Sequence, residues 1–419
     1  MNPGRRLVSA LLVLLALAPA PGRARQLDFD GRAPSAAAAL PLPLPFVPAP
    51  APPRPPAAFA PAVPVVSFKG LSFKAVQFSR AERIPETLVA VLDRTQRSAL
   101  LALYELKLPA VADAIIRAKR RGVSVLLVFD EGHSRPSEPD AAGRSAELQR
   151  VFDAGVPVRT LRGGGSYGIM HHKTAVLDGE LVVTGSFNWT QAADERNYEN
   201  LILRDDPAVV ASFDAVWRWM WEAGRPLSAS ASEADDDSEA AAAGMGSPPS
   251  DGSRPVSFNG GSYPAVAFSP QGGTEAFLLD AITRARRRVD IAMFSFYSQP
   301  LAQALLDAKA RGVRVRVVAD TGQARRSEAI RLLQAGGVEL RLTGGRTGGY
   351  SVMHHKYMVL DGRLAVGGSY NFSNNAEQNN HENTLFSTEP GEVAALLAEQ
   401  EFVFGVATAA SAADLPPLQ

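Results

Sequence analysis

The chain contains no cysteine among its 419 residues. That excludes disulfides, thiolate nucleophiles, cysteine-based zinc sites and a lipid-modified N-terminal Cys. Net charge is also missing, because 43 Lys and Arg balance 43 Asp and Glu. Proteins that grip nucleic acid through its phosphates usually carry a basic excess, so the overall charge argues against that partner. A local basic cleft would still be compatible with a neutral whole. Histidine is scarce: six in all, four of them in two HHK stretches. Long apolar runs are lacking too. The run from Leu7 to Ala18 is twelve residues, and a membrane-spanning helix needs about 20.

What is present describes a soluble globular chain. Hydrophobic residues make up 46% and charged residues 21%, and the length suits two domains. Residues 1–24 read as a secretory signal, with Arg5 and Arg6 before the apolar run and small residues offering cleavage after Ala20 or Ala24. Pro21 disfavours the first cut. An exported protein, periplasmic or secreted, is therefore expected. Cleavage after Ala24 would remove Arg5, Arg6 and Arg23 and no acid, leaving 40 basic against 43 acidic residues, or −3. Residues 25–64 are Ala/Pro-rich and predict an extended, disordered spacer.

From residue 65 the chain says everything twice. VSFKGLSFKAVQFS (66–79) matches VSFNGGSYPAVAFS (256–269) at an offset of 190. In the first copy a helix is predicted over 84–96, a strand over 98–106, a helix over 109–121, and a strand ending at Asp130. In the second copy the same order gives a helix over 275–288, a strand over 289–297, a helix over 300–311, and a strand ending at Asp320. Gly122 and Gly312 are placed to cap the helices before them. Apolar strands alternating with helices imply a buried sheet covered on both faces. The predicted domains are 65–225 and 254–407, with an acidic disordered linker at 226–253 and a tail at 408–419. Trp217 and Trp221, one helical turn apart, are expected in the core.

The most informative repeat is polar. HHKTAVLDGELVVTGSFN (171–188) and HHKYMVLDGRLAVGGSYN (354–371) keep His, Lys, Asp, Gly-Ser and Asn in register, now at an offset of 183. Each copy also has a Glu 28 residues after its His, Glu199 in NYEN and Glu382 in NHEN. Both segments read as hairpins turning at Asp-Gly. On an extended strand His171 and Lys173 share a face, as do His354 and Lys356, while His172 and His355 point away. A Gly-rich turn precedes each motif, 162–168 and 343–349, and predicts a flexible lip. His133 and His381 have no counterpart His and are expected to be structural or peripheral.

Two imidazoles, two ammonium groups and two amides suit attack on a phosphodiester. Lys173, Lys356, Asn188 and Asn371 could hold the phosphoryl oxygens. One imidazole could attack phosphorus while the other serves the leaving group as acid and then water as base. Glu199 and Glu382 are candidates to orient the two rings. A site built on Lys rather than clustered carboxylates and His disfavours a metal, and no cofactor is expected.

At these residues the chain resembles the phospholipase D superfamily, whose motif is His-x-Lys, four residues, Asp, six residues, Gly-Ser-x-Asn. Both copies match at every position, and the resemblance covers about 65–225 and 254–407; the NYEN-like element resembles the compact bacterial nuclease-like branch. It implies an α/β fold of two tandem α/β/α sandwich domains related by a pseudo-twofold axis, with the active site at their interface. It further implies a metal-independent mechanism through a phosphohistidine, with His171 and His354 as the catalytic pair. Lys173, Lys356, Asn188 and Asn371 would bind phosphate, supported by Ser186 and Ser369; Asp178 and Asp361 also belong to the motif and are counted with the catalytic residues, although a place at the hairpin turn would give them a mostly structural role. The expected substrate is a phospholipid at a membrane surface, cleaved or transferred to give phosphatidate. The chain would work as a monomer without a transmembrane segment. Alternatives are a metal-independent non-specific endonuclease, a cardiolipin-synthase-like transferase, and a non-enzymatic lipid- or nucleic-acid-binding module.

Overall fold

The strand Ser98–Leu103 is apolar after its first residue and buried from Ala99 onward, so it needs cover on both faces. Ala99, Leu101 and Leu103 join one core cluster, and Leu100 and Ala102 join another. That is the period-two alternation of a strand. The computed structural model of the protein describes residues 61–135, 144–227 and 245–415. Around Ser98–Leu103 it builds an eight-stranded mixed sheet. The order is Arg225–Pro226, Val158–Leu161, Ser124–Asp130, Ser98–Leu103, Lys173–Leu177, Leu181–Gly185, Asn200–Arg204, Val76–Phe78. The βαβ part is parallel and the hairpin part antiparallel. Helices Ile84–Arg94, Pro109–Arg120 and Ala146–Asp153 cover one face. Helix Pro207–Ala223 lies across the other, with Trp217 buried and its indole N–H donating to the Leu101 carbonyl.

The second half repeats this. Its sheet runs Val266–Ser269, Glu382–Ser387, Leu364–Gly368, Lys356–Leu360, Arg288–Met293, Arg314–Asp320, Glu339–Thr343, Thr408–Ala409. Helices Thr274–Arg284, Gln299–Ala310 and Glu328–Ala335 pack on one face, and Pro390–Val406 on the other. The halves share cores: Val266, Phe268 and Leu385 pack with the first half's Phe213 and Trp217, while Val76, Phe78 and Tyr198 pack with the second half's Tyr357 and Val403. All described residues therefore fall in one compact unit, Ala57–Gln419.

Several boundaries differ from expectation for identifiable reasons. The first helix ends at Arg94 rather than residue 96 because the Asp178 carboxylate takes the N–H groups of Gln96, Arg97 and Ser98. Asp361 does the same to Arg286, Arg287 and Arg288, so the second-half helix ends at Arg284. The strands predicted over 98–106 and 289–297 leave their sheets at Leu103 and Met293. Residues 408–409, predicted as tail, form an edge strand paired with Arg341 and Leu342. The predicted linker is not disordered throughout. Pro226 lies in an edge strand, and the Asp251 carboxylate accepts from Ser212, Ser253, Ala265 and Val266. The predicted signal, the spacer up to residue 60 and the acidic run Glu233–Glu239 lie outside the described residues.

Candidate active site

Lys173 opens a central strand opposite Leu103, at the carboxyl end of Ser98–Leu103. Lys356 stands opposite Met293 in the same way. In open α/β sheets this edge is where ligands bind. His171 and His354 sit just beyond it, each only 6% exposed. Their ring partners come from the opposite half. His171 Nδ1 lies 2.9 Å from both Glu382 oxygens, and His354 Nδ1 lies 2.8 Å from Glu199 Oε1 and 2.9 Å from Oε2. With Nδ1 engaged, Nε2 is the atom each ring offers to a substrate.

The backbone is crossed as well. His171 N–H donates to the His381 carbonyl (3.1 Å) and His354 N–H to the Tyr198 carbonyl (3.0 Å). His381 and Tyr198 return bonds to Ile169 and Val352. Asn380 accepts from Ile169 N–H and donates to Glu382; Asn197 does the same with Val352 and Glu199. Each contact has its exchanged counterpart, the pattern a twofold relation between halves produces. The NxEN letters thus each have a task. Asn383 donates to His172 Nδ1, and Asn200 lies 3.4 Å from His355 Nδ1. His172 and His355 do face away, into the interior, and His355 meets Glu399 at 3.2 Å.

Both lysines are 1% exposed. Lys173 Nζ donates to the His171 carbonyl at 2.6 Å and lies 4.8 Å from the centre of the Tyr104 ring; Lys356 Nζ donates to the His354 carbonyl at 2.8 Å and lies 5.2 Å from Phe294. Burial pushes Lys173 down to about 8, opposed chiefly by the nearby Glu382. Burial pushes Lys356 down to about 7, opposed chiefly by Glu199. Burial also drives the Glu382 carboxyl up to about 7 and the His171 imidazole well below its ordinary value. Both partners of that pair are moved toward their neutral forms. His354 is lowered by burial too, but the Glu199 charge holds it back.

The surroundings are less symmetric than the centre. Tyr104 packs edge-on against His171, with ring centres 4.9 Å apart, and Phe294 against His354 at 4.6 Å. Sequence reading did not single out either ring, though they occupy equivalent places 190 residues apart. Beyond Tyr104 lie His133, Glu105 and Asp130, so His133 is peripheral and held by Asp130 at 3.0 Å. Beyond Phe294 lie Ser295, Tyr297 and Gln323, with Ser295 and Gln323 uncharged where the first half has Glu105 and His133, while Asp320 repeats Asp130. His381 is structural: its Nε2 meets the Arg162 carbonyl, and burial lowers it to about 4.

The remaining motif residues divide. Asn188 is partly exposed with a buried Oδ1 that has no partner among the described residues, and Asn371 Oδ1 accepts from Ser295 N–H beside Phe294. Ser186 and Ser369, assigned to substrate, are wholly buried and turned to the carboxylates. Ser186 donates to Glu199 at 2.6 Å, and Ser369 hydrogen-bonds Glu382. They position the orienting Glu residues instead. Asp178 and Asp361, placed in the catalytic set, are not brought to the cluster. Five residues along the strand from its Lys, each is about 16 Å away. Both hold positive φ, 54° and 53°, at the hairpin turns and are pinned there by the N–H groups described above. Nor are the Gly-rich lips free at their bases. A side chain at Gly163 would collide with the Asn379 carbonyl, and one at Gly345 with that of Arg196. Among the described residues no group of three or more His, Asp or Glu could hold a metal ion.

A family model described as "Cardiolipin synthase, PLD-like domain" matches residues 88–221 and 278–402. The chain is 34% identical over 141 residues to the mitochondrial cardiolipin hydrolase of Xenopus tropicalis, covering 34% of this chain and 62% of that protein. It is 32% identical over 127 residues to a phospholipase D of Rickettsia felis, covering 30% of this chain and 58% of the relative. The chain thus spans about three fifths of the length of these curated relatives. Phosphatidylserine synthase of Haemophilus influenzae Rd KW20 has a similar fold, with a TM-score of 0.60 at 13% identity over 80% of this chain and 87% of that one.

Proposed function

The chain belongs to the phospholipase D superfamily, and from that premise we propose that it is a phosphodiesterase that cleaves phospholipids to phosphatidate and a free head group, or transfers the phosphatidyl group to an alcohol. The observation that carries the reading is the crossed pairing of His171 with Glu382 and His354 with Glu199. It brings together two imidazoles with Nδ1 engaged and Nε2 left for a substrate, beside two buried ammonium groups.

In the proposed reaction one Nε2 attacks phosphorus. An N–P bond forms, the P–O bond to the head group breaks, and the leaving oxygen takes a proton from the other imidazolium. That second ring, now neutral, removes a proton from water. The hydroxide breaks the N–P bond and restores both rings. Lys173 and Lys356 neutralise the phosphoryl oxygens in a site closed to bulk water, where such charges count most. The neutral overall charge favours lipid over nucleic acid as substrate. The signal-like N-terminal segment favours action outside the cytoplasm.

The test is turnover by the purified chain in EDTA, with phosphatidylcholine, phosphatidylglycerol, cardiolipin and plasmid DNA offered separately. Cardiolipin is included because the Xenopus tropicalis relative is named as its hydrolase. Phospholipid turnover should persist in EDTA, and His171→Ala and His354→Ala should each lower it on the order of 10⁴-fold or more. Turnover that survives either substitution would refute the site. Cleavage of DNA alone would move the chain to the nuclease reading.

A further inference from the structure

Two large side chains stand exposed, with no cover from the described residues. Tyr167 is 85% exposed and Tyr350 96%. They are equivalents, 183 residues apart and each four residues before its catalytic His. Each sits near the tip of a Gly-rich lip, closed at its base by a bridge, Arg162 with Ile169 and Gly344 with Val352. The lips are tied to the opposite half. Gly164 N–H donates to the Asn379 carbonyl at 2.8 Å, and Asn375 donates to the Tyr167 carbonyl at 3.0 Å. Arg346 N–H donates to the Arg196 carbonyl at 2.6 Å. The rings are therefore carried on fastened stalks, each four residues from one His of the shared cluster.

We infer that Tyr167 and Tyr350 form a paired anchor that seats the active-site mouth on a phospholipid surface. The inference rests on the phospholipid reading above and names the surface on which that site works. An aromatic ring with a polar tip suits the boundary between head groups and acyl chains. Other exposed apolar groups do not compete: the Phe402 ring is covered by the Arg80 guanidinium at 4.0 Å, and Val65 and Val406 have no symmetric partner. The lip arginines speak against a nucleic-acid strand. Arg162 is spent on the Gly165 and Ser166 carbonyls, and Arg346 on those of Ser79, Asp194 and Asn197. Arg346 is thus engaged at all three nitrogens, and Arg162 through Nη2. Exposed Arg325 and Arg326, at the same edge of the second sheet, suit anionic head groups.

The test is co-sedimentation of the full chain with vesicles of phosphatidylcholine, with and without phosphatidylglycerol. It is done on a His171→Ala background so that no lipid is consumed. Tyr167→Ser with Tyr350→Ser should weaken vesicle binding about tenfold or more, and Tyr167→Trp with Tyr350→Trp should retain it. In the otherwise unaltered chain, the Ser pair should leave turnover of a soluble phosphodiester, bis(p-nitrophenyl) phosphate, unchanged. Equal vesicle binding by the Ser pair overturns the inference. So does loss of soluble turnover, which would make the rings part of the pocket. Weakened binding of a single-stranded oligonucleotide with vesicle binding intact also overturns it, in favour of base stacking. The phospholipid reading itself fails differently, by absence of lipid turnover in the unaltered chain.

Discussion

A lysine ammonium ordinarily stays protonated to about pH 10, but here two of them are packed under aromatic rings. The depressed values, about 7 for Lys356 and about 8 for Lys173, tie phosphate binding to pH. Only the cation attracts the phosphoryl oxygens, and the cation is lost as pH rises through these values. The kcat/KM profile, which reports the free enzyme, should therefore fall between pH 7 and 9 instead of holding to pH 10. Lys356→Arg should move that limb upward, since a guanidinium does not titrate there. A limb left in place by Lys356→Arg and Lys173→Arg together would assign it to another group.

At the scale of the element, the motif's Asp turns out to be a splice. Asp361 joins the hairpin turn to the chain entering Arg288–Met293, accepting from three consecutive backbone N–H groups and from Asn259. Asp361→Ala would leave those donors without an acceptor, at a cost of about 3 kcal/mol. Urea unfolding should show that loss, while the folded fraction keeps its kcat. A collapse of kcat with unchanged stability would return Asp361 to the chemistry. The Asp-Gly hairpin was readable from sequence because two adjacent positive φ angles demand such residues. The partner of the carboxylate was not, since it lies 73–75 residues away.

At the scale of the whole molecule, neither half can complete its own site. His354 takes its carboxylate from the first half and His171 from the second, and buried or half-buried ion pairs such as Arg80–Glu399 and Arg204–Glu392 also cross between halves. A carboxylate beside an imidazole holds its cation, and Glu199 does so for His354. Glu199→Gln should therefore lower the titration midpoint of His354 and leave His171 in place, as read by nitrogen-15 histidine resonances. Turnover should fall on the order of 10²–10⁴-fold, the scale of a misdirected acid or base. A shift of His171 instead would mean that each half orients its own ring.

Local signals were enough to mark out much of this protein. Period-two and helical apolar patterns, Asp-Gly turns and the duplicated HxK…GSxN spacing act over a few residues, so the sequence alone determined the two-sheet α/β fold and the identity of both His–Lys pairs. It also named Glu199 and Glu382 as orienting groups. What it could not determine was which carboxylate serves which ring, that Ser186 and Ser369 support the glutamates, or that Tyr104 and Phe294 wall the histidines. Nor could it show that the last strand of the second sheet comes from the expected tail. The carboxylate pairing depends on segments brought together across the halves, and spacing within one repeat carries no information about the other repeat's distance in space; the serine, ring and edge-strand contacts join separate segments within one half. Tertiary packing decided them all, and the packing of one half against the other decided which carboxylate serves which ring.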